Sequence, residues 1–172
     1  MDSFVEEAAG KTEFESYEEI ISYLKKDQGY TKLKLKGYEG EVLAVTDYIY
    51  TDKQTNCSIR ASIYGKVGDV VKCLGNVDTN GTAYPLAIGE GALYACHSHL
   101  YQVYYVTPDG DGLMLKDCIE EYAEQDTPTY IGFTRESNSF DDTVDFTGGE
   151  KEYEEYWKNY YAATPINFTV VE

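Results

Sequence analysis

The sequence predicts an α+β domain built mainly from antiparallel β-strands, arranged as a single twisted meander sheet or an incomplete barrel with one helix near each terminus. Three observations predict it. Segments with period-two patterning recur about every ten residues through the middle of the chain. The separators carry Gly and Asn, which supply the positive φ that tight turns need. Two stretches, one near each end, instead place apolar residues at helical spacing. The 172 residues fit one domain, 1–172, and a chain this long buries ~70% of the surface its unfolded form exposes.

The elements follow in order. Residues 1–15 are polar and acidic and read as a frayed terminus. Ser16 and Glu19 form a capping box, in which hydroxyl and carboxylate satisfy backbone donors reciprocally. Tyr17, Ile20, Ile21 and Leu24 then give one apolar face, and Gly29 stops the helix, expected over Tyr17–Asp27. In Tyr30–Lys36, Leu33 and Leu35 alternate with Lys32, Lys34 and Lys36, the pattern of a half-solvated strand guarded by lysines. Glu41–Tyr50 is continuously apolar and therefore central.

Further strands are expected at Cys57–Gly65, Val70–Val77, Ala83–Ile88, Ala92–Ser98, Leu100–Thr107, Leu113–Ile119 and Tyr130–Thr134. Ile20, Leu24, Leu43, Val45, Ile63, Val71 and Leu115 are the expected core. Residues 136–149 read as a polar surface loop. Tyr153, Tyr156, Trp157, Tyr160 and Tyr161 fall at i, i+3, i+4, i+7 and i+8 of a second helix, ended by Thr164-Pro165, with a closing strand at Ile166–Val171.

Composition narrows the function classes. The net charge is −17, from 31 acids against 14 bases, a field that repels phosphate backbones and anionic membranes. Nucleic acid is therefore excluded as a partner, and no apolar run approaches the ~20 residues of a membrane span. The charge is uneven. Tyr30–Gly75 carries five acids and seven bases, whereas Glu120–Glu155 carries twelve acids opposed by Arg135 and Lys151. There are 18 Tyr against 6 Phe and 1 Trp, which points to broad faces that are only partly dry. The four cysteines, Cys57, Cys73, Cys96 and Cys118, form no C-x-x-C pair and read as free, partly buried thiols. Met1–Lys11 has no apolar h-region, so an exported protein would carry a leader upstream of this chain.

No arrangement of residues names a reaction. His97 and His99 are the only histidines; on an extended segment they would share a face and start a zinc or copper site, but further ligands are not supplied locally, and a polar hairpin turn is the expectation. Asp109 and Asp111 begin like a calcium loop, yet the next ligand position is Leu113, so a tight turn explains them better. Asp141, Asp142 and Asp145 make a second, weak cation candidate on an acidic loop. Tyr153 and Trp157 are the aromatic residues most suited to binding, although helical spacing equally predicts packing on the sheet.

The sequence-based reading is thus a non-enzymatic exported or cell-surface binding domain that contacts a protein or glycan through Tyr-rich surface. Its binding residues would be Asp141, Asp142, Asp145, Tyr153 and Trp157, with no catalytic residues, no cofactor and no bound metal. The alternative is an acidic cytoplasmic inhibitor or immunity-type protein that meets a basic partner through residues 120–155. A small metal-dependent enzyme using His97 and His99 is the third reading.

Overall fold

In the computed structural model, which describes residues 3–123, 126–135 and 141–172, the period-two segments resolve into two antiparallel sheets rather than one. The N-terminal part runs α1 (Phe4–Ala9), β1 (Glu13–Phe14), α2 (Tyr17–Ser22), β2 (Gly29–Leu33), β3 (Val42–Thr46), the hairpin β4 (Tyr50–Asp52) and β5 (Thr55–Cys57), then β6 (Arg60–Val67) and β7 (Val70–Asp78). The C-terminal part runs β8 (Ala87–Gly89), β9 (Ala92–Tyr94), β10 (Leu100–Val106), β11 (Leu113–Tyr122), β12 (Thr129–Arg135), β13 (Thr143–Asp145), α3 (Glu150–Ala162), β14 (Thr164–Pro165) and β15 (Thr169–Val170). The six-stranded sheet is ordered β1-β7-β6-β3-β2-β15, and the seven-stranded sheet β13-β12-β11-β10-β9-β8-β14. The fold is β-dominated α+β, as expected, but the described residues close no barrel, and the single meander sheet is corrected to two large sheets and the separate two-stranded hairpin β4-β5.

The two sheets pack face to face. Leu33, Val42, Ala44, Ile63 and Leu74 of the first sheet meet Leu86, Leu93 and Val106 of the second in one buried cluster. The opposite side of the first sheet offers Leu43, Val45, Tyr64 and Val71 to Val5 of α1 and Ile20 and Leu24 of α2. The opposite side of the second sheet offers Tyr94, Tyr101, Val103 and Ile119 to Tyr153, Trp157 and Tyr160 of α3. The order is therefore helix, sheet, sheet, helix. A strand inside such a stack buries both faces, which is why all five residues of β3 are buried despite their alternation.

Two connections tie the sheets together. Lys36 donates its N–H to Gly91 O and accepts from Val106 N, each at 2.9 Å. Gly37 follows with φ +90°, where an added Cβ would overlap the Val106 carbonyl oxygen, so only glycine fits this crossing. At the other corner the C-terminal segment pairs first with β8 and then with β2, so one stretch of chain edges both sheets. Sequence reading placed a single strand here.

Most other expected elements are present with altered limits. The core list holds for Ile20, Leu24, Leu43, Val45, Ile63 and Val71, while Leu115 is only half-buried. Residues 3–15, expected to fray, instead form α1 and β1: the Ser3 hydroxyl accepts from Val5 N, the Glu6 carboxylate accepts from Ser3 N, and Gly10 ends the helix at φ 67°. The helix expected over Tyr17–Asp27 ends at Ser22, because the Gln28 side chain takes Lys25 N and Val171 O takes Asp27 N. Within the expected polar loop 136–149, residues 143–145 form β13 on the edge of the second sheet, and residues 136–140 lie outside the described residues.

Candidate functional site

Helix α3 carries the site. Its N-terminus is held by the Glu152 carboxylate, which accepts from Gly149 N at 2.8 Å. The 3.6-residue period then sends Tyr153, Trp157 and Tyr160 onto the sheet, where each is buried. The packing is ring on ring: Trp157 lies 5.5 Å from Tyr84 and 6.1 Å from Tyr101, and Tyr153 lies 4.9 Å from Tyr130. The Tyr160 hydroxyl donates to Pro85 O at 2.9 Å and pins the segment that carries Tyr84.

The same period leaves Glu150, Glu154, Lys158 and Tyr161 along the margin of this aromatic layer. Together with Tyr84, Ser98 and Glu121 they line a groove of about 390 Å³ whose inner wall is Tyr153 and Trp157. Tyr161 is 68% exposed, and its ring stands 5.8 Å from that of Trp157. Three carboxylates thus ring the groove against one ammonium, and Lys158 pairs with Glu155 at 2.5 Å. The carboxylates act on their surroundings: burial and then Glu121 and Glu150 raise Tyr130, which faces Glu121 across the β11–β12 pair.

Tyr153 is 5% exposed and lines the groove, and its hydroxyl is shut off from solvent beside the Trp157 side chain. Burial pushes its pKa up to about 12, so it stays protonated at neutral pH.

The remaining sequence-predicted residues fall elsewhere. His97 and Leu100 exchange N–H···O bonds of 2.9 Å and close a two-residue turn that lifts His99 to 59% exposure. His99 Nδ1 lies 3.3 Å from Glu121 Oε1, which places this turn beside the groove. Asp109 and Asp111 sit in the β10–β11 turn, where Asp111 Oδ1 accepts from the Thr107 hydroxyl at 3.1 Å. Among the described residues no three His, Cys, Asp or Glu side chains converge on a point that would hold a metal. Asp141, Asp142 and Asp145 stand at the β13 edge and do not line the groove, so the structure separates them from Tyr153 and Trp157. The four thiols are unpaired; burial pushes Cys96 up to about 12 and Cys73 to about 11, which keeps both from acting as nucleophiles near neutrality.

Sequence reading missed Tyr84 and Ser98 as lining residues, and it held Glu121, Glu150 and Glu154 only within the segment 120–155 of its alternative reading, without singling them out. Glu150 and Glu154 were accessible to it, because they bracket Tyr153 at helical spacing. Tyr84 was not, since nothing local ties it to a helix some seventy residues on. It also missed a buried charge pair. Lys116 is the extra residue of a β-bulge opposite Val103, so its ammonium turns back to Asp117, reaching Oδ1 at 2.9 Å and Oδ2 at 3.1 Å. Asp117 is 5% exposed, and Lys116 and Lys36 both approach the Tyr105 ring, at 5.7 and 5.5 Å. This pair is neutral within itself and closes the sheet rather than opening a site.

Compared with protein families, curated proteins and solved structures, the chain matches none.

Proposed function

We propose that this protein is a binding domain that takes up a basic segment of a partner protein in the groove beside α3. The observation that carries the reading is the composition of that groove: aromatic walls from Tyr84, Tyr153, Trp157 and Tyr161 under a rim of Glu121, Glu150 and Glu154. Aromatic faces present negative charge to a cation, and carboxylates complete the attraction where water is partly excluded. The net charge of −17 adds long-range steering toward a basic partner. Among the sequence-based readings this favours protein over glycan, since a neutral sugar gains little from three carboxylates. It also moves the binding residues from the loop acids Asp141, Asp142 and Asp145 to the acids around Trp157.

The chain has a single tryptophan, and it lines the groove, so its fluorescence reports occupancy directly. A lysine- and arginine-rich peptide titrated into the protein should change Trp157 emission, and a neutral peptide of equal length should not. Binding should weaken as salt rises from about 0.1 M to about 1 M, where the Debye length falls from ~10 Å to ~3 Å. Replacing Glu121, Glu150 and Glu154 together by Gln should weaken it at least about tenfold. Equal binding of basic and neutral peptides, or an unchanged affinity in the triple variant, would sink the reading.

A further inference from the structure

A histidine stands at the edge of the groove without lining it. The His99 imidazole is 59% exposed, and its Nδ1 lies 3.3 Å from Oε1 of Glu121, one of the three rim acids. The backbone holds the two residues together, because Glu121 N–H donates to His99 O at 2.8 Å. Ser98, the preceding residue, is itself part of the groove wall. A charge on His99 therefore arises beside the carboxylates that would receive a basic partner.

Resting on the binding reading above, we infer that His99 makes the groove pH-sensitive: its protonated ring pairs with Glu121 and repels an incoming cation, so a basic segment is held near neutral pH and released as the medium becomes acidic. Imidazole is the side chain whose ordinary charge change falls between about pH 5 and 8, whereas carboxyl groups titrate lower and phenols higher. In the imidazolium both ring nitrogens carry protons, so Nδ1 donates to the Glu121 carboxylate in a charge-assisted bond. That leaves Glu150 and Glu154 to meet the partner, beside a positive charge the neutral ring does not carry. The surrounding groups do not offset the change. Tyr130 of β12 faces Glu121, and Tyr153 lies on α3; both phenols are raised by burial and stay neutral across this window. Lys158 of α3 pairs with Glu155. In the same turn His97 exchanges backbone bonds with Leu100, while the ion pair to Glu121 is made by His99. Binding is therefore strongest where the His99 ring is neutral and weakens as pH falls through its titration. By linkage, a bound basic segment opposes protonation of His99 by the same factor.

The test uses a lysine- and arginine-rich peptide, blocked at both ends and free of histidine and carboxylates, so that its own charge is constant. It is titrated against the intact protein by Trp157 fluorescence at about pH 7.5 and about pH 5.5, at one low salt concentration. Affinity should be about fivefold lower at the acid pH. His99→Gln should keep the affinity seen near neutrality and lose the pH dependence, and His97→Gln should keep both. NMR titration of the two imidazoles gives the reciprocal measurement. Bound peptide should lower the His99 midpoint by about 0.7 pH unit, the logarithm of the fivefold loss, and move that of His97 less. Without peptide, Glu121→Gln should also lower the His99 midpoint, because the carboxylate that favours the charged ring is gone. Equal or tighter binding at the acid pH, or a pH dependence that survives His99→Gln, overturns the inference while the basic-partner groove stands. A peptide that binds at neither pH overturns the groove and its pH sensitivity together. Where a variant does not fold, the two affinities and the His99 midpoint of the native protein still decide.

Discussion

Under α1 and α2 the outer face of the six-stranded sheet is covered by Val5, Ile20 and Leu24 packed on Leu43, Val45 and Val71. Under α3 the outer face of the seven-stranded sheet is covered by Tyr153, Trp157 and Tyr160 packed on Tyr94 and Tyr101. Both faces are buried, and each is closed by helix. They differ in what lies at their margins. In the first layer the helix residues over the sheet are aliphatic, with Phe14 and Tyr64 packed among the strand residues. Tyrosine and tryptophan carry polar tips that must find partners or stay unpaired, so the second layer ends in a rim where hydroxyls, carboxylates and water compete. The first face is a stabilising layer. The second both stabilises and presents a surface on which recognition can be built.

Cutting a large side chain from either layer should have the largest effect. Trp157→Ala should cost about 3–5 kcal/mol and Leu43→Ala about 2–5 kcal/mol, measured by equilibrium unfolding in urea. Both residues are buried, at 7% and 0% exposure, so a cost near zero for either would mean that its layer does not hold its helix. Only the first change should also abolish the fluorescence response and peptide binding, because only Trp157 lines the groove.

A smaller and sharper contrast lies in two hydroxyls. Tyr64, under α1 and α2, and Tyr153, under α3, both bury a hydroxyl, the first beside Ser3 and the second beside Trp157. Tyr64→Phe and Tyr153→Phe should each leave stability within about 1 kcal/mol of native, since the desolvation cost of the hydroxyl offsets the side-chain contact it makes. Peptide binding should stay unchanged for Tyr64→Phe, since Tyr64 does not line the groove. A binding loss in Tyr64→Phe would show that the two layers do not differ in the way described.

The smallest effect concerns the start of α3. Gly149 N–H donates to the Glu152 carboxylate and holds its pKa below the ordinary value of 4.5. A group whose pKa is depressed by folding stabilises the fold at pH above its unfolded value, and that contribution fades as pH falls through the folded value. Unfolding followed between about pH 6 and pH 3 should therefore lose a little less stability in Glu152→Gln than in the native protein. The α1 and α2 layer should be indifferent to this change, and equal sensitivity there would contradict the assignment.

Much of this architecture is written in local pattern. The Tyr153-to-Tyr161 spacing predicts α3 and its buried face, and the continuous apolar run around Leu43 predicts a strand covered on both sides. The turn residues at Asp109–Gly112 and at the histidines predict tight hairpins, which is what they form. In each case the physical cause acts within a few residues: a helical or extended period, a cap, or a residue that tolerates positive φ.

What only the tertiary structure decided is the partition of the strands into two sheets and the assembly of the groove. Period-two alternation is the same whether consecutive hairpins extend one sheet or fold onto a second, so the pattern around β7 and β8 gives no sign of the change. The break there comes from pairings distant in sequence, β8 with β14 and β2 with β15, which no local period encodes. The groove has the same origin. Helical spacing places Glu150, Glu154 and Trp157 on α3, but Tyr84 and Glu121 reach them only because the second sheet brings β11 and the segment before β8 beneath that helix. Sequence determined which side chains α3 would bury; packing determined which distant residues would surround them, because contact between remote segments depends on shape filling and not on period.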